Sequence, residues 1–362
     1  MINKFKNEIL NNKLEIKLNS IINISESINL YNFYTEKRNF YNKLNYKFLE
    51  LNPLETVKIS LYDSINNCMN NKFEYYKNDR QFKLPIQRYY SLLNTPYPIH
   101  FNNYYNLQNN KSVSNYDIDF VNLISELPDI LSFKCIIKDN TSDNINKFEH
   151  SFPYRLRKLK EFNEDYILSI DYPFGNASYL GNCNFKLNDN IFQTNNIVLI
   201  SNGTGIVPMF QLIKYISQEI SSRFYYDEYI NCSTIRVTLI YTDEENDKKL
   251  IYLQKELNYH LNIINNINAN SIDINRNFII VNDNYHDNIS NTLYTLKLIM
   301  DKKHNELKKC YTSNNSTCSS NNNKYINSPL FIICGNKILK ESAYDILIKD
   351  YGISKEYINT LF

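Results

Sequence analysis

Glycine is scarce. The 362 residues include six, Gly175, Gly181, Gly203, Gly205, Gly335 and Gly352. Ordinary usage of roughly 7% would place about 25 in a chain of this length. Glycine serves where the backbone turns left-handed or closely approaches another group. The survivors therefore mark such places, and all lie between residues 175 and 352. Tryptophan is absent. An excess of one charge is also missing, since 40 basic residues face 38 acidic ones for a net charge of +2. That balance argues against a nucleic-acid binder, which would carry a strongly basic domain. The seven cysteines stand at 68, 135, 183, 232, 310, 318 and 334, with no CxxC pair, and no His falls at metal-ligand spacing. Zinc and a disulfide framework are thus poorly supported, and the expectation is a reduced, cytoplasmic chain with no metal. No apolar run approaches the roughly 18 residues that span a bilayer. The first twenty residues show no signal-peptide core, and Ile2 excludes N-myristoylation.

What is present is asparagine, 60 residues of it, with abundant Lys and Ile and 31 Tyr. Such a bias follows A+T-rich coding, so single Asn and Lys residues are discounted as signals. The length suggests two domains, each with its own core. Residues 1–50 show no clear period and read as a helical or partly disordered extension. From Val57 the runs VKISLY, FKLPIQRYYSLL, LSFKCIIKD and YILSIDY carry strand alternation, separated by Asn-rich loops. They predict an antiparallel β-barrel over 51–192. Beyond a boundary near Asn190–Asn196 the grammar changes. Apolar strands at 197–201, 235–241, 277–282 and 329–334 alternate with helical stretches from about 206, 247, 290 and 340. That alternation predicts a parallel sheet of βαβ units over 193–362. A low-complexity run at about 310–328 reads as a surface insertion.

Three local features carry chemistry. In SNGTGIVPMFQLIKYI (201–216) an apolar strand ends in Asn-Gly-Thr-Gly and a helix follows. Two glycines let a phosphate approach the backbone, and the helix N-terminus offers free N–H groups and a positive dipole end. A tight turn needing glycine for geometry alone fits equally well. Pro208 falls in the first helical turn, where its missing N–H costs little. Arg88-Tyr89-Tyr90-Ser91 lies on a predicted strand. Arg88 offers a planar fork to a phosphate, Tyr90 a ring for a planar cofactor and Ser91 a hydroxyl. A tyrosine-rich strand in a tyrosine-rich chain is the plainer reading. Cys334-Gly335 ends a buried strand at the carboxyl edge of the sheet, where open α/β sheets bind ligands. A small buried core cysteine is the plainer reading there.

Taken in order, R-Y-Y-S (88–91), G-T-G-I-V-P (203–208) and C-G (334–335) resemble the ferredoxin–NADP reductase superfamily. Within it the chain is most similar to the NADH–cytochrome b5 reductase family, across roughly residues 55–362. FKCIIKD (133–139), YPFG (172–175), YLGNCNF (179–185) and the stretch 241–257 keep the register of that family. The resemblance implies an FAD-binding barrel followed by a Rossmann-like pyridine-nucleotide domain. It implies that Arg88 holds the FAD pyrophosphate, that Tyr90 lies against the flavin, and that Ser91 reaches its N5 edge. Gly203, Thr204 and Gly205 would cradle the dinucleotide, with Pro208 shaping the helix start. Cys334 and Gly335 would sit beside the nicotinamide, and Ser91 and Cys334 would be the catalytic residues. Lys134 falls where the family has a nucleotide-binding lysine, and the terminal aromatic is Phe362. The family's Gly-Gly FAD-phosphate segment is replaced by HSFPYR (150–155), with Ser151 the remnant. The family's Cys-Gly-Pro-Pro becomes Cys-Gly-Asn-Lys. Asp243, Glu244, Glu245 and Asp247 follow the second strand of the α/β domain. Carboxylates there accept from a ribose 2′-OH and repel a 2′-phosphate, so NADH is expected over NADPH, with Asp247 at the selecting position. An acidic helix start favoured by the dipole is also consistent.

The implied activity is hydride transfer from NADH to FAD, then single electrons to a small redox protein such as cytochrome b5. Arg155, Arg157, Lys158 and Lys160 could face such an acidic partner, although a solvated helix face is the plainer reading. A monomer is expected. The alternatives are an NADPH-dependent ferredoxin-type reductase and a non-catalytic protein on a decayed reductase fold.

Overall fold

The computed structural model describes residues 14–24, 28–36, 52–62, 86–93, 130–138, 152–162, 167–188, 190–225, 235–242, 251–268, 278–281, 290, 293–301 and 329–361. The chain divides into two compact units, Met1–Phe174 and Gly175–Phe362.

The first unit is a six-stranded antiparallel sheet built from β1 (Leu14–Asn23), β2 (Ile28–Glu36), β3 (Thr56–Tyr62), β4 (Ile86–Tyr90), β5 (Ile130–Lys138) and β6 (Ile167–Phe174), with helix α1 (Phe152–Phe162). The strand order is β4-β3-β6-β1-β2-β5. Its two edges meet, because Leu92 bridges Cys135 in antiparallel fashion and the Leu93 N–H donates to the Lys134 carbonyl at 2.8 Å. Joining the edges makes the sheet barrel-like and covers backbone groups that an open edge would leave unpaired. Leu14, Ile16, Tyr31, Phe33, Val57, Ile59, Phe133, Leu168 and Ile170 fill the interior, and Phe152 and Leu156 of α1 join them.

The reading of residues 1–50 as an extension is corrected here. β1 pairs with both β2 and β6, so it lies within the sheet. The inward positions of β2 are Asn29, Tyr31, Phe33 and Thr35, all buried. Polar residues at two of the four conceal the two-residue period. Thr35 is accommodated by donating its hydroxyl to the Glu15 carbonyl at 2.7 Å.

The second unit begins with a small antiparallel sheet of β7 (Ala177–Gly181), β8 (Asn184–Leu187) and β9 (Asn190–Gln193). A parallel sheet follows, from β10 (Asn196–Asn202), β11 (Arg236–Thr242), β12 (Phe278–Val281), β13 (Leu330–Cys334) and β14 (Ile358–Thr360). Its order is β12-β11-β10-β13-β14, and every pairing is parallel. Helices α2 (Ile206–Tyr225), α3 (Ile251–Asn268) and α4 (Lys337–Asp345) accompany it, and residues 293–301 are helical. One face of the sheet, with Val198, Ile200, Ile240, Phe331 and Ile333, packs against Leu296, Met300, Leu339, Ala343 and Leu347. Each of these side chains larger than Ala343, fully buried, contributes about 1.5–3 kcal/mol. Gly352 ends the last helical stretch as expected, with φ +63°, and Ile353 N–H donates back to the Leu347 carbonyl at 2.9 Å.

The structure divides the chain earlier than the sequence reading did, between Phe174 and Gly175 rather than near Asn190–Asn196. The reason is a buried carboxylate. Glu219 of α2 accepts from the Tyr179 hydroxyl and from the Asn182 N–H, each at 2.7 Å, and fixes the small sheet to the α/β unit. Burial and the nearby carboxylate push the Tyr179 hydroxyl well above its ordinary pKa, so it stays a donor.

Candidate functional site

In the α/β unit the strand order reverses at β10. The chain runs outward through β11 and β12 on one side and through β13 and β14 on the other. At such a switch point two neighbouring strands send their following loops in opposite directions, which opens a crevice beyond their carboxyl ends. β10 and β13 are those neighbours, with Ser201 in register with Cys334. β10 leads into Gly203-Thr204-Gly205 and β13 into Gly335. Both motifs singled out in the second half of the sequence therefore emerge side by side at the crevice.

Gly203 to Gly205 form a single 3-10 turn that runs directly into α2. Pro208 is the third residue of that helix and is buried. Thr204 is half-buried, whereas Gly203 and Gly205 are buried. Gly205 is required by space. A Cβ there would stand 2.7 Å from the Cys334 carbonyl carbon and 3.0 Å from the Gly335 nitrogen, backbone that cannot swing aside. Gly335 has φ +154°, a conformation L residues rarely adopt, and a Cβ on it would run into the Asn202 side chain. The two turns thus pack backbone to backbone, and part of the glycine requirement is geometric. The Cys334 thiol is buried and held up at about 12 by burial, with Lys340 opposing. It is a neutral thiol at physiological pH and presents a small, polarisable surface instead of a thiolate nucleophile.

In the barrel-like unit, Arg88 lies exposed on β4, where its Nη1 donates to the Gln87 carbonyl at 2.8 Å. Tyr90 is half-buried, with its ring 5.7 Å from that of Phe152, the first residue of α1. The N-terminus of α1 thus lies near the R-Y-Y-S strand. Ser91 is half-buried one residue before the bridge at Leu92. Lys134 is exposed on β5, and its carbonyl is the acceptor for Leu93 at the same seam. Ser91 and Lys134 lie at the seam where the chain after β4 meets β5, while Arg88 and Tyr90 lie on β4, which leads into it. Arg155 and Arg157 lie on α1, half-buried. Ser151, Asp247, Phe362 and the run 312–328 lie outside the described residues.

Sequence reasoning missed Asn202 and Asn336, which do structural work at the crevice. Both had been discounted with the other asparagines. The signal available for Asn336 was an Asn just before a helical run, the usual N-cap choice. Its Oδ1 accepts from the Leu339 N–H at 2.8 Å. Glu219 carried no signal, because its partners lie 37 and 40 residues away.

No protein-family model matches the sequence, and among curated proteins none matches it. Solved structures do. The chain is similar to the cytochrome b5 reductase domain of Ulva prolifera nitrate reductase, with 13% identity, 97% of each chain covered and a TM-score of 0.51. It is also similar to the ferredoxin–NADP+ reductase of Plasmodium falciparum, with 16% identity, 96% of this chain and 95% of the other covered, and a TM-score of 0.46. The likeness to the first of these establishes the fold: an antiparallel barrel-like unit followed by a parallel α/β unit, as the sequence predicted. Among the described residues, no helix is long and apolar enough to cross a membrane.

Proposed function

We propose that the chain is a flavin-dependent oxidoreductase of the ferredoxin–NADP reductase type that takes a hydride from NADH and delivers single electrons to a small redox protein. The observation that supports this reading most is the switch-point crevice. The Gly203–Gly205 turn, the start of α2 and the Cys334-Gly335 turn all face it, as a pyridine dinucleotide requires. The residues fit the flavin as well. Arg88 is exposed and available to a pyrophosphate, Tyr90 stands near the start of α1, and Ser91 sits beside it. Ser151, just before that helix, would help hold the phosphates. When bound, the two cofactors supply the hydride chemistry and the one-electron steps.

The chain's own residues bind and orient. Arg88 offers two parallel N–H donors to a phosphate. Tyr90 covers a ring face, and Ser91 donates or accepts at a ring-nitrogen edge. Gly203, Thr204 and Gly205 present backbone N–H groups, and Pro208 shapes the helix that carries them. Cys334 and Gly335 bound the nicotinamide end without a side chain large enough to block it. Asp247 would receive the ribose hydroxyls of NADH, Lys134 would assist at the nucleotide, and Phe362 would provide an aromatic surface. An acidic haem protein such as cytochrome b5 is the partner class that Arg155 and Arg157 would attract.

The test is the visible spectrum of the purified protein. Yellow protein, or colourless protein that becomes yellow and stays so after FAD is added and the excess removed, supports the reading. Protein that remains colourless after both steps contradicts it and favours the non-catalytic alternative raised by the missing Gly-Gly pair.

A further inference from the structure

Asn202 is the last residue of β10, buried immediately before Gly203. Its Oδ1 accepts from the Asn336 N–H at 2.9 Å, across 134 residues of chain. The same side chain fills the space in front of Gly335, where a Cβ would overlap it. In the other direction Gly205 fits against the Cys334 carbonyl. Asn336 then carries the constraint into α4, which it caps through Leu339. The two turns at the switch point are therefore held by glycine contacts in both directions and by the hydrogen bond from Asn336 N–H to Asn202. The donor is the backbone N–H of residue 336, which any residue but proline would offer.

We propose that Asn202 is a positioning residue that fixes the spacing of the two backbone turns, so that both ends of a dinucleotide are held at once. The inference rests on the dinucleotide reading above. Asn202 acts through Asn336 and touches no reacting atom. If the turns drift, the pyrophosphate end still binds at Gly203–Gly205, while the nicotinamide end loses its alignment. Small misplacements of a reacting group are expensive in rate and cheap in affinity.

The test uses FAD-loaded protein and compares wild type with Asn202→Ala. ADP-ribose, which lacks the nicotinamide, is titrated by calorimetry, and the limiting rate of flavin reduction is measured at saturating NADH. Loss of one part-buried neutral hydrogen bond predicts a limiting rate about tenfold lower, with ADP-ribose affinity changed less than about twofold. Asn336→Pro removes the N–H donor, and the φ of −68° at this position suits proline. In that background Asn202→Ala should lower the rate by clearly less than it does in wild type, because the shared bond is already gone. An unchanged rate in N202A, or equal losses in rate and ADP-ribose affinity, overturns the proposal, and N202A alone decides if the proline variant does not fold. Wild type that binds neither ADP-ribose nor NADH fails the parent reading, and the positioning role falls with it.

Discussion

In the barrel-like unit the candidate phosphate-binding atoms belong to a side chain on a strand, Arg88 of β4. In the α/β unit they belong to the backbone, at Gly203–Gly205 and Gly335. The difference decides what each region tolerates and what its sequence reveals. A backbone site needs exact chain geometry, so its residues are fixed by packing as well as by any ligand. A side-chain site borrows a strand that would fold as well without it.

The sharpest way to break that comparison is to add one methyl group to the backbone site. Gly205→Ala places a Cβ against the Cys334–Gly335 backbone. Its expected cost is about 3 kcal/mol, the upper range for overpacking, read as a lower urea midpoint. Gly352→Ala is the control, because nothing lies within 4 Å of its Cβ. It should cost about 1–2 kcal/mol, from the left-handed φ alone. Equal losses in the two variants would mean that close packing is not what fixes Gly205.

The matching change in the other unit is Arg88→Ala. The side chain is exposed and bonded to its own neighbour, so stability should move by less than about 0.5 kcal/mol. FAD affinity should fall by a factor of about 10 to 100, the usual value of a charge-assisted hydrogen bond. Lost stability with unchanged FAD binding would reverse the contrast between the units.

The smallest expected effect concerns the contact between α2 and α3. Ser217 donates to the Lys214 carbonyl, which leaves His260 Nδ1–H to donate to Ser217 Oγ at 2.6 Å. Lys214 and Glu256 form an ion pair beside the ring. Burial holds His260 below its ordinary value, Lys214 adds to this and Glu256 opposes it. The unfolded chain therefore takes up a proton that the folded chain resists, once the pH falls through the usual histidine range near about 6.5. This contribution to stability is full above that range and is lost below it. Urea midpoints measured across that range should show the slope, and His260→Gln should flatten it.

The same contrast explains what the sequence reveals. Strands β3 to β6 and β10 to β13 were legible because apolar residues hold their period. β1 and β2 were not, since β1 buries only Leu14 and Ile16, and Asn29 and Thr35 occupy inward positions of β2. The crevice was legible because glycine is rare here, so Gly203, Gly205 and Gly335 stood out. Asn202 and Asn336 were hidden for the opposite reason: in a chain with 60 asparagines, two that bridge and cap look like the rest. The partner residues of Glu219 lie too far along the chain for any local pattern to link them.

The most direct measurement of the central claim is anaerobic stopped-flow mixing of FAD-loaded protein with NADH and, separately, with NADPH. Rapid bleaching of the flavin by NADH, with NADPH much slower, is the expected result. A flavin that neither nucleotide bleaches would contradict the account, and a strong preference for NADPH would overturn the assignment of Asp247 to the NADH ribose.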